Sequence, residues 1–251
     1  MTTRDEPITL EVDDETVVGT LVRPARQLPG VLFVHGWGGT QEQYLARARQ
    51  IAALGCICLT FDLRGHGGSA ERQESVTREE NLQDVIAAYD RLARQPFVDR
   101  QAIAVIGSSY GGYLAAILSS LRPVRWLGLR VPALYRDEDW ALPKQQLRKY
   151  GLAAYRRQII SPDENRALGA CARFEGDVLL VESEHDDIVP HAVFTNYMAA
   201  CEKARSLTYR MIQGADHGLS DARAQQDYSS ILLKWVSEVG IGPARAENPG
   251  R

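Results

Sequence analysis

The sequence predicts an α/β fold in which a mostly parallel central sheet is covered by helices on both faces. Two observations lead there. Short apolar runs of strand length recur along the chain and end in turn-rich loops, and helical patterns separate them. Alternation of this kind builds parallel sheets, because a parallel strand must be reached by a crossover, usually a helix. At 251 residues one domain is expected, spanning residues 1–239, with a flexible Gly-, Pro- and Ala-rich tail at 240–251.

The elements follow in order. Ile8, Leu10 and Val12, then Val17, Val18 and Leu21, bracket Asp13-Asp14-Glu15 and predict an antiparallel hairpin between Pro7 and Arg23. Val31-Leu32-Phe33-Val34 is a buried strand ending in His35-Gly36-Trp37-Gly38-Gly39, followed by a helix from Gln41 to Leu54 and a Gly55 stop. Cys56 to Phe61 repeats the strand and runs into Asp62-Leu63-Arg64-Gly65-His66-Gly67-Gly68-Ser69, before a helix from Asn81 to Arg94. Ala102 to Ile106 is the third buried strand; it leads into Gly107-Ser108-Ser109-Tyr110-Gly111-Gly112 and a helix from Tyr113 to Ser120. Trp126 to Val131, Asp177 to Glu182 and Leu207 to Ile212 complete the strands, and helices are expected at Val193 to Lys203 and Ala222 to Val239. Residues 132–175 carry no strand-like run. A structureless loop of that length is improbable in a compact domain, so a small helical lid is expected there.

Composition excludes several classes. A net charge of −3 without a long basic run gives no surface for nucleic acid or anionic lipid. No window reaches the ~18 to 20 apolar residues of a membrane span, and the polar, acidic segment from Met1 to Glu15 does not read as a targeting peptide, so a cytoplasmic location is expected. Cys56, Cys58, Cys171 and Cys201 lack C-x-x-C spacing and read as buried reduced thiols.

Gly107-x-Ser109-x-Gly111 fits a sharp strand-to-helix turn that exposes the serine, with small neighbours relieving the backbone crowding. A serine needs an imidazole to take its proton and a carboxylate to orient that imidazole. Of five histidines, His35 and His66 sit in glycine-rich loops where they brace backbone, and His185 and His191 flank an acidic turn. His217 alone follows both the acid and the last strand. Asp186 and Asp187 both follow the fifth strand, at the carboxyl edge where sites of open α/β sheets form. Backbone N–H groups of Tyr110 and Trp37 are the candidates for stabilising a developing oxyanion, Trp37 having packing as its alternative role.

With these positions assembled, the chain resembles the α/β-hydrolase superfamily from about Pro7 to Val239. His35 to Gly39 is similar to its oxyanion loop, Asp62 to Ser69 to its Asp-x-Arg-Gly-x-Gly-x-Ser loop, Gly107 to Gly112 to its nucleophile elbow, and Asp186 to Pro190 to its Asp-x-x-Val-Pro acid turn. That last likeness favours Asp186 over Asp187. Gly-Ser-Ser-Tyr-Gly-Gly-Tyr-Leu is similar to elbows of the dienelactone-hydrolase-like and prolyl-oligopeptidase-like branches, the propeller domain of the latter not being expected here. Serine at 109 departs from the cysteine of dienelactone hydrolase itself and from the aspartate of haloalkane dehalogenases.

The resemblance implies a serine carboxylesterase that uses no metal or organic cofactor and acts on a small-molecule ester through an acyl-enzyme. A small-peptide or amide hydrolase with the same three residues, and a non-catalytic ligand receptor, are the alternatives. Within the lid, Tyr135, Trp140, Tyr150 and Tyr155 could line an apolar pocket or simply pack. Arg136, Arg148, Arg156 and Arg157 read as solvated surface charge, with an acidic substrate group as the alternative partner. Oligomeric state is left open, a homodimer included.

Overall fold

A computed structural model describes residues 3–12, 15–24, 27–149 and 151–241 of the chain. The N-terminal alternation folds as a hairpin, β1 (Thr3–Val12) antiparallel to β2 (Glu15–Pro24), in a two-stranded sheet of its own. Asp13 and Asp14 lie outside the described residues. Six further strands, β3 (Leu28–Val34), β4 (Ile57–Thr60), β5 (Val98–Ser108), β6 (Trp126–Arg130), β7 (Asp177–His185) and β8 (Ser206–Asp216), form one sheet in the order β4-β3-β5-β6-β7-β8. Every neighbouring pair in it is parallel.

The unbroken apolar runs reflect burial of both sheet faces. Leu32 and Val34 join the core beneath α2 (Arg78–Ala93) and α3 (Tyr110–Leu118), while Val31 and Phe33 point the other way, toward α1 (Glu42–Ala53). Val178 and Leu180 divide from Leu179 and Val181 in the same manner. Helix α7 (Ala222–Glu238) covers the α1 face with Ala224, Tyr228, Leu232 and Trp235, spaced one helical turn apart. Its end is set by Gly240 (φ +74), which lets the Ile241 N–H return to the Val236 carbonyl at 2.9 Å and buries Ile241. Of the expected tail, Gly240 and Ile241 thus pack against the end of α7; residues 242–251 lie outside the described residues.

Two helices begin earlier than the apolar pattern suggests. Helix α2 starts at Arg78 because Thr77 Oγ1 accepts the Glu80 N–H at 3.2 Å while the Glu80 carboxylate accepts the Thr77 N–H at 2.9 Å. Such caps stabilise a helix start by about 1 kcal/mol, and Thr-x-x-Glu was the readable signal. Helix α3 starts at Tyr110, directly after the serine.

The interval 132–175 carries short helices: a 3-10 turn at Lys144–Lys149, α4 (Leu152–Tyr155), a 3-10 turn at Pro162–Glu164 and α5 (Arg166–Cys171). Asn165 caps α5 by accepting the Ala167 and Leu168 N–H groups. Because Ala167, Leu168 and Cys171 are buried in the core beside α3 and α6 (His191–Ala200), the end of this interval belongs to the helical layer over the sheet. Of the four cysteines, all free, Cys58 is half-buried and the others are buried. Among the described residues no helix is long and apolar enough to cross a membrane.

Strand order reverses at β3, which is followed in the chain by β4 on one side and flanked by β5 on the other. A crevice opens at such a switch point, beyond the carboxyl ends of the two strands. The loops there are His35 to Gly39 and the turn at Ser109.

Candidate active site

Ser109 sits between β5 and α3 with φ 52 and ψ −115, a left-handed conformation that L residues avoid. The turn is held open for it by glycines. A Cβ at Gly107 would lie 2.4 Å from the Gly111 carbonyl oxygen, and one at Gly111 would lie 2.3 Å from that of Val34. Ser109 N–H donates to the Arg130 carbonyl at 2.8 Å, and its own carbonyl accepts from Tyr113 and Ala133, so the strained residue is tied at both ends.

Ser109 Oγ lies 2.9 Å from His217 Nε2, and His217 Nδ1 lies 2.6 Å from Asp186 Oδ2. A carboxylate only accepts, so Nδ1 carries the proton and Nε2 is left to accept from the serine hydroxyl. The other Asp186 oxygen accepts the N–H groups of Ile188 at 2.9 Å and Val189 at 2.8 Å, which fixes the carboxylate in the turn after β7. The Asp186 side chain is 2% exposed, whereas His217 retains 18%. Asp187, its neighbour, is exposed and takes no part in this chain.

The loop after β3 is braced by two histidines. His35 Nε2 accepts the Leu63 N–H at 3.0 Å while Nδ1 donates to the Gly36 carbonyl at 2.8 Å. His66 Nε2 accepts the Gly38 N–H at 3.0 Å while Nδ1 donates to the Arg64 carbonyl at 3.2 Å. Both imidazoles are therefore neutral, and burial, more than any neighbouring charge, holds them below the ordinary histidine pKa. In this loop the Gly38 and Gly39 N–H groups are engaged, by His66 and by the Gly36 carbonyl. Tyr110 N–H lies in the first turn of α3, where a helix offers it no internal acceptor. Trp37 packs edge-on to Tyr110 and His66, at 5.4 and 4.8 Å between ring centroids.

Residues from the 132–175 interval close over this corner. Trp37 Nε1 donates to Gln145 Oε1 at 3.2 Å, and Lys144 Nζ stands 4.4 Å from the Trp37 ring centre. Arg156 donates to the Leu134 carbonyl at 3.1 Å and to the Ile188 carbonyl at 3.0 Å, joining the interval to the Asp186 turn. Lys144 and Arg156 are 4% and 6% exposed, so Arg156 is not the solvated surface charge expected of it. The reason is its pair of backbone carbonyl acceptors, a role that composition does not reveal. Both cations flank the Tyr135 phenol: burial pushes that group up, but the two charges outweigh burial and leave its pKa below the usual tyrosine value.

The aromatic residues of this interval are placed differently from one another. Tyr135 is buried among Tyr110 and Tyr113, and Tyr155 is buried with its hydroxyl accepting from Asn165 Nδ2 at 3.1 Å. Trp140 is half-buried, its indole N–H given to Glu79 at 2.8 Å and its ring stacked under Arg166 at 3.9 Å. Tyr150 lies outside the described residues.

Arg130, on the last position of β6, escaped sequence reasoning. Its Nη2 donates to the His217 carbonyl at 2.9 Å and its Nε to Ser108 Oγ at 3.3 Å, so one buried guanidinium links the His217 loop to the turn that carries Ser109. A lone arginine ending an apolar strand was the signal available.

Comparisons with known proteins bear on the family and the fold. A model of the prolyl oligopeptidase family matches residues 42–240. The mitochondrial palmitoyl-protein thioesterase ABHD10 of Homo sapiens is 31% identical over 105 residues, covering 40% of this chain and 32% of that protein. A probable dipeptidyl-aminopeptidase B of Emericella nidulans is 37% identical over 103 residues, 36% of this chain and 11% of that protein. The matches thus span about a third and a tenth of these curated relatives. Among solved structures, the alpha/beta hydrolase GrgF from Penicillium sp. sh18 superposes with a TM-score of 0.61 at 16% identity, over 98% of this chain and 100% of the other. The fold is the α/β-hydrolase fold.

Proposed function

The chain belongs to the prolyl oligopeptidase family, and from that premise we propose that it is a serine hydrolase cleaving a carboxylic ester through an acyl-enzyme. The observation that carries the reading is the hydrogen-bonded series Ser109 Oγ, His217 Nε2, His217 Nδ1 and Asp186 Oδ2, at 2.9 and 2.6 Å, ending on a serine in a strained left-handed turn.

In this reading Ser109 Oγ attacks the ester carbonyl carbon as its proton passes to His217 Nε2, and the Asp186 carboxylate stabilises the imidazolium. The carbonyl oxygen takes up the electron pair and is held by the Tyr110 N–H, at the positive end of α3, and by the Trp37 N–H in the loop after β3. Collapse of the tetrahedral species breaks the bond to the leaving alcohol, which receives the proton from His217. Water, deprotonated by the same nitrogen, then releases the carboxylic acid and restores Ser109.

Amide hydrolysis is the second reading, favoured by the family match and by the dipeptidyl-aminopeptidase relative. It uses the same residues but demands earlier protonation of a poorer leaving group. Release of p-nitrophenol from acetate, butyrate and octanoate esters by wild type and Ser109→Ala, beside matched p-nitroanilides, tests both. Ester turnover lost in the variant supports the first reading, and faster anilide turnover selects the second. Neither turnover nor fluorophosphonate labelling of a folded protein would instead favour a ligand receptor.

A further inference from the structure

Behind the His217 loop, on the face of the sheet covered by α1 and α7, lies a cavity of about 210 Å³ whose walls include Arg47, Ser108, Arg130, Gly218 and Tyr228. Its charge is one-sided. Arg130 and Arg47 both face the Tyr228 ring, with guanidinium carbons 5.7 and 4.9 Å from its centre, and no carboxylate lines the cavity. Neither guanidinium has an ion-pair partner among the described residues: Arg47 donates to Ser229 Oγ and the Gln43 carbonyl, Arg130 to Ser108 Oγ and the His217 carbonyl.

Arg130 is 7% exposed, and its Nη1 is buried with no hydrogen-bond partner. A permanently charged group so removed from water is costly unless its donors are met, and an arginine cannot shed its proton to escape the cost. Two guanidiniums beside one polar cavity, one of them with a donor to spare, are met most economically by a planar or tetrahedral oxyanion, which takes guanidinium donors in pairs. Ser108 Oγ, which accepts from Arg130 Nε, is turned to the Tyr228 phenol, and the phenol O–H adds one neutral donor to the same wall.

We infer that Arg130 and Arg47 form a binding site for a small oxyanion, of the phosphate or carboxylate type, in the cavity behind the His217 loop. The site is separate from the Ser109 hydroxyl, since Ser108 and Ser109 are successive residues of the turn and it is Ser108 that lines this cavity. It nonetheless communicates with the reacting groups, because the guanidinium that would hold the anion also holds the His217 carbonyl.

The test is calorimetric titration of the full chain with inorganic phosphate, repeated with acetate, at constant ionic strength balanced by chloride. Saturable binding of one equivalent is expected, weakened at least tenfold in Arg47→Gln, with ester kcat/KM of that variant unchanged when no phosphate is present. Binding should persist after Ser109 has been blocked by a fluorophosphonate. Preference for phosphate or for acetate identifies the anion type. Absence of saturable binding, equal binding by Arg47→Gln, or loss of binding on blocking Ser109 would each overturn the assignment, the last by placing the anion at the serine. An Arg47→Lys variant that retains part of the affinity guards against a loss caused by misfolding.

Discussion

His66 Nε2 accepts the backbone N–H of Gly38 at 3.0 Å, so a residue of the loop after β4 sets the shape of the loop after β3. If the Trp37 N–H next to it stabilises an oxyanion, the loop must hold that donor within a few tenths of an ångström. His66→Ala is expected to lower kcat for p-nitrophenyl acetate by about tenfold to a hundredfold, the scale on which small misplacements act, with a smaller change in KM. Steady-state kinetics on the purified variant decides it, and a wild-type kcat would remove His66 from the positioning of that loop.

The same two bracing histidines give stability a pH dependence. Burial keeps His35 and His66 neutral in the folded chain and their pKa values below the ordinary one. In the unfolded chain both take up a proton near pH 6.5, so below that pH the unfolded state binds more protons than the folded state and stability falls with falling pH. Above it these groups add no slope. Urea unfolding at pH 7.5 and 5.5 should show a lower midpoint at 5.5, and the drop should be smaller in His66→Ala, which lacks one of the two groups. An unchanged difference in the variant would refute the attribution.

What was legible in the chain divides along physical lines. The strands announced themselves because both faces of a parallel sheet are buried, which writes continuous apolar runs such as Val31 to Val34. Ser109, Asp186 and His217 could be ordered because each follows a strand directly, at the sheet's carboxyl edge. Arg130, Lys144 and Arg156 could not be singled out, since a buried cation and a solvated one look alike in sequence; only the tertiary carbonyls and rings around them make the difference. The aromatic residues of the 132–175 interval share that ambiguity: nothing local separates Tyr155, bonded to Asn165, from a residue that faces substrate.

The choice between adjacent carboxylates yields a paired prediction. Asp186 reaches His217 Nδ1 at 2.6 Å and is locked by two backbone N–H groups, while Asp187 is exposed. Asp186→Asn replaces an acceptor with a group that can present a donor to Nδ1, favouring the wrong imidazole tautomer. A loss of about 10³ to 10⁴ in kcat is expected. Asp187→Asn should stay within about twofold of wild type, as surface substitutions do. Reversal of the two results would move the orienting role to Asp187.

The last prediction concerns the turn itself. Gly111 packs where a Cβ would stand 2.3 Å from the Val34 carbonyl oxygen and 2.4 Å from that of His35, both of them backbone atoms of β3 and its following loop. Because neither can swing aside as a side chain could, Gly111→Ala must push α3 away from β3 or distort the Ser109 turn. A cost of about 3 kcal/mol or more is expected, at the upper end of overpacking effects. Gly68→Ala is the control, since a Cβ there meets nothing within 4 Å and its φ is not left-handed. Thermal melting of the two variants beside wild type reads the difference: a large fall for Gly111→Ala alone supports a turn whose close approach to β3 is what holds Ser109 in place, whereas equal melting points would mean that the elbow can relax and that its strain is not enforced by packing.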